Sequence, residues 1–221
     1  AGSNPASGVS LLNIMSRNLT KVFHPTLGNV VFHRISGHVS DDNQDILESE
    51  LLKETFPWSY APYTVEPDSN EGIEEFLKFD DIPLIAHQLV TSGRVVSDYF
   101  GPIIGTCGLE KLIQDHELTG DVIRAQINLF LKRDKEVCPC PHIDVNKTPH
   151  FGVLYYINDA DGDTIFYNKS EYDVDLEGLT EWRRESPKRG DVLIFDGRIY
   201  HSPTCPTKSS HRLSLNFDIL K

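Results

Sequence analysis

His211-Arg212-Leu213-Ser214-Leu215-Asn216-Phe217-Asp218-Ile219, near the end of the sequence, alternates without a break. Successive side chains of an extended chain point to opposite faces, so Leu213, Leu215, Phe217 and Ile219 share one side with His211. Arg212, Ser214, Asn216 and Asp218 share the other. The first face belongs on a core. The second carries a guanidinium, a hydroxyl, an amide and a carboxylate, and turns either to solvent or into a polar cavity. Arg124 to Lys132 has the same texture, with Ala125, Ile127, Leu129 and Leu131 opposed to Gln126, Asn128, Phe130 and Lys132. Between these runs, Phe151 to Ile157, Asp163 to Tyr167, Thr180 to Glu185 and Asp191 to Phe195 read as short strands bounded by Gly, Asp, Asn or Pro. The second half of the chain is therefore an antiparallel sandwich or barrel.

The first half reads as its support. Lys21 to Ile35 reads as a hairpin or a pair of short strands around Leu27-Gly28-Asn29. Asp41, Asp42 and Asn43 offer N-caps to a helix whose stripe is Ile46, Leu47, Leu51 and Leu52. Phe56 to Asp68 is too rich in Pro and aromatics for a helix and is either a lid or a packed connection. A second helical region is expected over about Glu71 to Val90, with a new turn or kink at Pro83, and a third over about Leu109 to His116.

The sequence has 221 residues, and its 33 acidic against 21 basic side chains give a net charge of -12. That charge repels a phosphate backbone, so nucleic acid is a disfavoured partner. No apolar run approaches the length of a membrane span. One domain is expected over 15–221, with helical and strand support over 15–120 and the β core over 121–221. Ala1 to Ile14 lacks charge and has only a short apolar patch at Val9 to Leu12, which is not a secretory signal. Met15, the single methionine, suggests a vector-derived or processed leader before a native start. The four cysteines are too few and too irregular for a disulfide framework, which favours a reducing, cytoplasmic setting. Cys138-Pro139-Cys140-Pro141 is tighter than the usual zinc pair and reads as a stiff loop.

Directly after that loop come His142 and Asp144, one residue apart, so on an extended strand both side chains leave the same face. His201 follows much later. Two imidazoles and one carboxylate on one face of an octahedron suit non-haem Fe(II), with three positions left open.

His142-x-Asp144, the distal His201 and Arg212-x-Ser214 on the last strand resemble the Fe(II)/2-oxoglutarate-dependent dioxygenases. Tyr155-Tyr156-Ile157-Asn158 and Gly162-Asp163-Thr164-Ile165-Phe166 resemble their prolyl 4-hydroxylase branch. The resemblance covers roughly Arg124 to Ile219. It implies a mostly β chain with N-terminal helices around a double-stranded β-helix, or jelly roll. It implies Fe(II) held by His142, Asp144 and His201, with 2-oxoglutarate and O2 as cosubstrates and ascorbate as a supporting reductant. Arg212 would pair with the far carboxylate of 2-oxoglutarate, and Ser214 and Tyr156 would add hydroxyl donors to it. Asn128 joins the cosubstrate set through its inward-facing position alone.

The implied reaction hydroxylates an unactivated C–H, with a prolyl residue of a peptide or protein as the first expected substrate. The alternatives are a free amino acid or other small molecule, and a non-catalytic metal-binding jelly roll. An alkylated nucleic-acid demethylase is further off, because that family carries Asn and Arg two and six residues after the anchoring Arg. Ser214 and Asp218 stand there instead. Within the prolyl branch the chain departs at Asp163, where a second Gly is usual, and at Phe130 or Asn128, where a Tyr is frequent. The remaining conspicuous residues have structural readings: His150 and His211 as hydrogen-bonded strand ends, Tyr155 as packing, Trp58 and Trp182 as anchors, and Gly190-Asp191 and Asp196-Gly197 as turns.

Overall fold

The computed structural model describes residues 19–62, 82–173 and 176–221, and every structural statement here concerns those residues. The leader through Met15, and the parts of the expected loop and second helix over 63–81, lie outside them.

The strands are β1 (Lys21–His24), β2 (Gly28–Ile35), β3 (Ser59–Ala61), β4 (Leu84–Thr91), β5 (Arg94–Val95), β6 (Val122–Leu131), β7 (His150–Tyr156), β8 (Thr164–Ser170), β9 (Glu181–Glu185), β10 (Val192–Asp196), β11 (Ile199–Pro203) and β12 (His211–Leu220). The helices are α1 (Asp41–Leu51), α2 (Phe100–Cys107) and α3 (Leu109–Asp115). The larger sheet runs β1-β2-β10-β7-β12-β6-β4-β3, with β5 beside β4, and the smaller runs β11-β8-β9.

β12 lies between β6 and β7, which explains its alternation. Its outer face, Leu213, Leu215, Phe217 and Ile219, joins Ala125, Ile127, Val153 and Tyr155 in a core closed by Leu47 and Leu51 of α1, Ile103 and Ile104 of α2, and Leu109 and Leu112 of α3. The helices thus seal one side of the sheet, since an apolar face must be buried against another element. On the inner side Phe32, Leu154, Tyr156, Leu193 and Phe195 pack on Phe166 and Ile199 of the smaller sheet. Phe166 meets Phe195 edge-on at 4.9 Å between ring centres. The architecture is the expected jelly roll with buttressing helices.

Four local expectations are corrected. Residues 84–91 form β4 instead of the end of a helix, because they add the next strand to β6. A register shift between Gln88 and Val90 buries both Leu89 and Val90, which breaks the period of two that would have marked a strand. The N-cap of α1 is Ser40, whose hydroxyl accepts from the Asn43 N–H. The buried stripe of α1 is Gln44, Leu47 and Leu51, while Ile46 and Leu52 are exposed. Leu131, at the frayed end of β6, is exposed as well. Phe56 is buried against Trp58 and Tyr99, and the Trp58 indole N–H donates to the Leu51 carbonyl, so the described start of the Pro-aromatic stretch is packing.

Candidate active site

The histidines are brought together by backbone pairing. His142 and His201 exchange N–H···O bonds of 2.9 and 3.0 Å, an isolated bridge that fastens the segment after the Pro-rich loop to β11. The segment is not a regular strand, since Pro139 and Pro141 have no N–H to extend a ladder. Asp144 reaches the same point from the bend that follows.

The donor atoms of His142, Asp144 and His201 lie within 4.8 Å of one another. His201 Nε2 is 3.3 Å from Asp144 Oδ2, and His142 Nε2 is 3.8 Å from Asp144 Oδ1. Nδ1 of His142 lies 3.2 Å from the Cys140 carbonyl, and Nδ1 of His201 lies 3.1 Å from that of Ile199. A carbonyl only accepts, so each Nδ1 carries the proton and each Nε2 turns toward the carboxylate. Burial, with the neighbouring His201, brings the His142 imidazolium down to about 4. Burial opposes protonation of His201 too, but the Asp144 hydrogen bond and charge prevail and raise it. Burial would raise the Asp144 carboxyl, yet Arg124 and the two imidazoles hold it well below the usual carboxylate range. The set therefore presents two ring nitrogens and an ionised carboxylate toward one point, and it fits a divalent non-haem iron.

A cavity of about 50 Å³ opens beside this cluster. The polar face of β12 is turned into it, and cross-strand pairing with β6 arranges the wall as Phe130 with Arg212, Asn128 with Ser214, Gln126 with Asn216, and Arg124 with Asp218. Arg212 is 1% exposed. Its Nη2 donates to Thr164 Oγ1 at 2.7 Å, while Nε and Nη1 are buried without a hydrogen-bond partner. Phe130 lies under the guanidinium at 5.4 Å. Burial lowers the Arg212 pKa from its ordinary value, and no carboxylate touches it. A buried cation costs several kcal/mol unless paired, so the orphaned N–H groups mark a place for an anion.

Ser214 lines the same wall. The Tyr156 hydroxyl lies one layer back, donating to Thr164 Oγ1 at 3.0 Å. The Asn128 carbonyl accepts from Gln126 Nε2, leaving the rest of its amide to the cavity.

The residue reading missed Thr164, which sits inside the quoted Gly162-to-Phe166 motif, and the Arg124–Asp218 pair. Arg124 Nη1 is 2.9 Å from Asp144 Oδ1 and 3.0 Å from Asp218 Oδ2. The available signal was a pair of opposite charges on the polar faces of two alternating strands. His150, 1% exposed, gives Nδ1 to the Thr148 carbonyl and brings Nε2 within 3.6 Å of Asp218. His211 stands 3.4 Å from Glu48. Trp182 packs against His24 and Phe32. Cys138 touches the Tyr167 hydroxyl, and no disulfide joins the four cysteines. No helix of the described residues is long and apolar enough to cross a membrane.

Neither models of known families nor curated proteins match the sequence. Solved structures do match the fold. An oxidoreductase of the 2OG-Fe(II) oxygenase family from Burkholderia pseudomallei is 17% identical, covers 85% of this chain and 84% of its own, and gives a TM-score of 0.57. The epimerase SnoN, in complex with Fe3+, alpha ketoglutarate and nogalamycin RO, is 13% identical over 86% of this chain and 78% of its own, with a TM-score of 0.57. A prolyl hydroxylase from Trichoplax adhaerens, bound to a hypoxia inducible factor peptide fragment, is 13% identical over 86% and 83%, with a TM-score of 0.53. The chain has the fold of the 2OG-Fe(II) oxygenases.

Proposed function

We propose that this protein is an Fe(II)- and 2-oxoglutarate-dependent dioxygenase, with residues 15–221 as its single domain. The carrying observation is Arg212, a buried guanidinium with two unpartnered nitrogens, facing the cavity that also holds the His142–Asp144–His201 cluster.

His142, Asp144 and His201 would hold Fe(II), which with 2-oxoglutarate and O2 supplies the oxidation of a C–H to C–OH while the cosubstrate leaves as succinate and CO2. The chain's own residues bind and orient. Nδ1 hydrogen bonds to the Cys140 and Ile199 carbonyls fix the two rings. Arg212 offers its unpartnered N–H donors to the far carboxylate of the cosubstrate, and Thr164 keeps the guanidinium aimed by accepting from Nη2. Ser214 adds a hydroxyl on the same wall, Asn128 an amide, and Tyr156 steadies Thr164 from behind. Phe130, Phe195 and Leu154 exclude water from the walls.

For the substrate, Tyr155 to Asn158 and Gly162 to Phe166 favour a prolyl residue in a peptide, and a similar fold is known with a peptide bound. A second reading, a small polar molecule, is favoured by the amide and charged lining of Gln126, Asn128, Asn216, Arg124 and Asp218. Anaerobic titration with Fe(II) and 2-oxoglutarate should give a visible metal-to-ligand charge-transfer band, and aerobic turnover should release succinate. A wild-type protein with neither sinks the reaction class. Proline-containing peptides should stimulate turnover more than free proline, with a 16-dalton gain by mass spectrometry. Stimulation by free amino acids alone would replace the prolyl reading with the small-molecule one.

A further inference from the structure

Arg124 bridges two carboxylates that face the same cavity. One nitrogen, Nη1, is 2.9 Å from Asp144 Oδ1 and 3.0 Å from Asp218 Oδ2, and Nη2 donates to Gln126 Oε1 at 3.2 Å. Asp218 is 1% exposed, is the cross-strand partner of Arg124, and lines the cavity beside the candidate metal ligands. The two ion pairs share one donor atom, so Asp218 Oδ2 stands one guanidinium nitrogen away from a proposed ligand oxygen.

A divalent cation at His142, Asp144 and His201 would attract a second carboxylate so near, because anionic oxygen is a strong ligand for iron-like cations. A fourth protein ligand would fill one of the three positions that a chelating cosubstrate and oxygen need. We propose that Arg124 is a positioning residue that keeps the metal site at three protein ligands. It occupies Asp144 Oδ1, so that Oδ2, 3.3 Å from His201 Nε2, would be the oxygen left free of Arg124 to ligate the metal. It also holds Asp218 in an ion pair that keeps this carboxylate off the metal. A lysine would be a poorer substitute, since a point charge lacks the fork that reaches Asp144, Asp218 and Gln126 together.

The inference rests on the iron and 2-oxoglutarate reading, and the experiment separates the two. The full chain and its variants are loaded anaerobically with Co(II), to read the d–d spectrum, and with Fe(II), to titrate 2-oxoglutarate by its charge-transfer band. Arg124→Gln should still bind Co(II), with an altered d–d spectrum, and should bind 2-oxoglutarate about 10- to 100-fold more weakly, a loss of the size that removing an outer-shell partner causes in metal affinity or activity. Arg124→Gln/Asp218→Asn, which has no second carboxylate to ligate, should regain part of that affinity. Asp218→Asn alone retains an oxygen acceptor for Arg124 and should keep the wild-type d–d spectrum, a measurement that stands even if Arg124→Gln does not fold. Wild-type cosubstrate affinity in Arg124→Gln, no recovery in the double variant, or a changed spectrum in Asp218→Asn overturns the inference and leaves the proposed reaction standing. A wild-type protein that binds no 2-oxoglutarate with its metal overturns both.

Discussion

Arg212 and Tyr156 converge on a single atom, donating to Thr164 Oγ1 at 2.7 and 3.0 Å from β12 and β7. All three side chains are buried, so neither donor has water to fall back on. Thr164→Val preserves shape but leaves both without an acceptor, which should cost about 1–3 kcal/mol of stability per unsatisfied group. It should also weaken 2-oxoglutarate binding with little change in iron affinity, because the guanidinium loses its aim. Thr164→Ser keeps the oxygen and should restore both. Denaturant unfolding with a cosubstrate titration checks this, and a Val variant as stable as wild type would show that the shared bond contributes nothing.

Arg212 and His201 should separate cosubstrate binding from metal binding. Removing one partner of a buried, hydrogen-bonded charge pair costs about 2–5 kcal/mol, so Arg212→Ala should reduce 2-oxoglutarate affinity from roughly thirtyfold to several thousandfold. Its iron affinity should stay near wild type, since Arg212 is not among the three clustered donors. His201→Ala removes a donor and should impair both. Equal 2-oxoglutarate affinity in Arg212→Ala and wild type would mean that another cation anchors the cosubstrate.

What the sequence made legible followed local pattern. β6 and β12 were readable because each buries one face on the helices and turns the other into a cavity, so the alternation is clean. β4 was hidden by its bulge, and β11 by composition, since Ile199-Tyr200-His201-Ser202-Pro203 has neither regular alternation nor a Pro-free run. The candidate ligands were visible by residue type and order. The extended geometry expected around Asp144 was not found, because a bend delivers it. Arg124 is not legible from local pattern, because its meaning depends on pairing with Asp218, a non-local register set by the sheet. Thr164 sits inside the Gly162-to-Phe166 motif, but only the packing shows that Tyr156 reaches the cavity wall through it.

Asp196 should make acid stability depend on one buried group. Its carboxyl accepts from Arg198 Nε and Nη2, both at 2.8 Å, and meets Lys221 Nζ at 2.6 Å. Burial would raise it, but Arg198 and Lys221 prevail and hold it at about 2. A folded pKa below the unfolded value of about 3.9 means that the contribution is complete above about pH 4 and lost as pH falls through 2. The gap corresponds to about 2–3 kcal/mol at neutral pH. Asp196→Asn should therefore be less stable than wild type at pH 7 by about this amount, and the difference should shrink toward pH 2. A difference that does not change with pH would assign the loss to packing.

Gly152 should be intolerant of a single methyl group, through a neighbour that touches the candidate metal site. It lies on β7 opposite Asp218 of β12 and Phe195 of β10. A Cβ built there would stand 2.3 Å from Phe195 Cζ, closer than packed atoms approach. The Phe195 ring is boxed in, meeting His201 at 5.2 Å and Phe166 at 4.9 Å between ring centres. The ring can yield only by pushing on the imidazole or on the core of the smaller sheet. Overpacking of this kind costs about 1–3 kcal/mol, and part of it should appear as weaker iron binding, because the displaced neighbour is a candidate ligand. Phe195→Leu added to Gly152→Ala should recover stability relative to Gly152→Ala alone, since residues in contact are not additive. Urea midpoints and metal titrations of both variants test the chain from glycine to phenylalanine to histidine. If Gly152→Ala matches wild type in both, Phe195 does not press against β7 and has no part in holding His201.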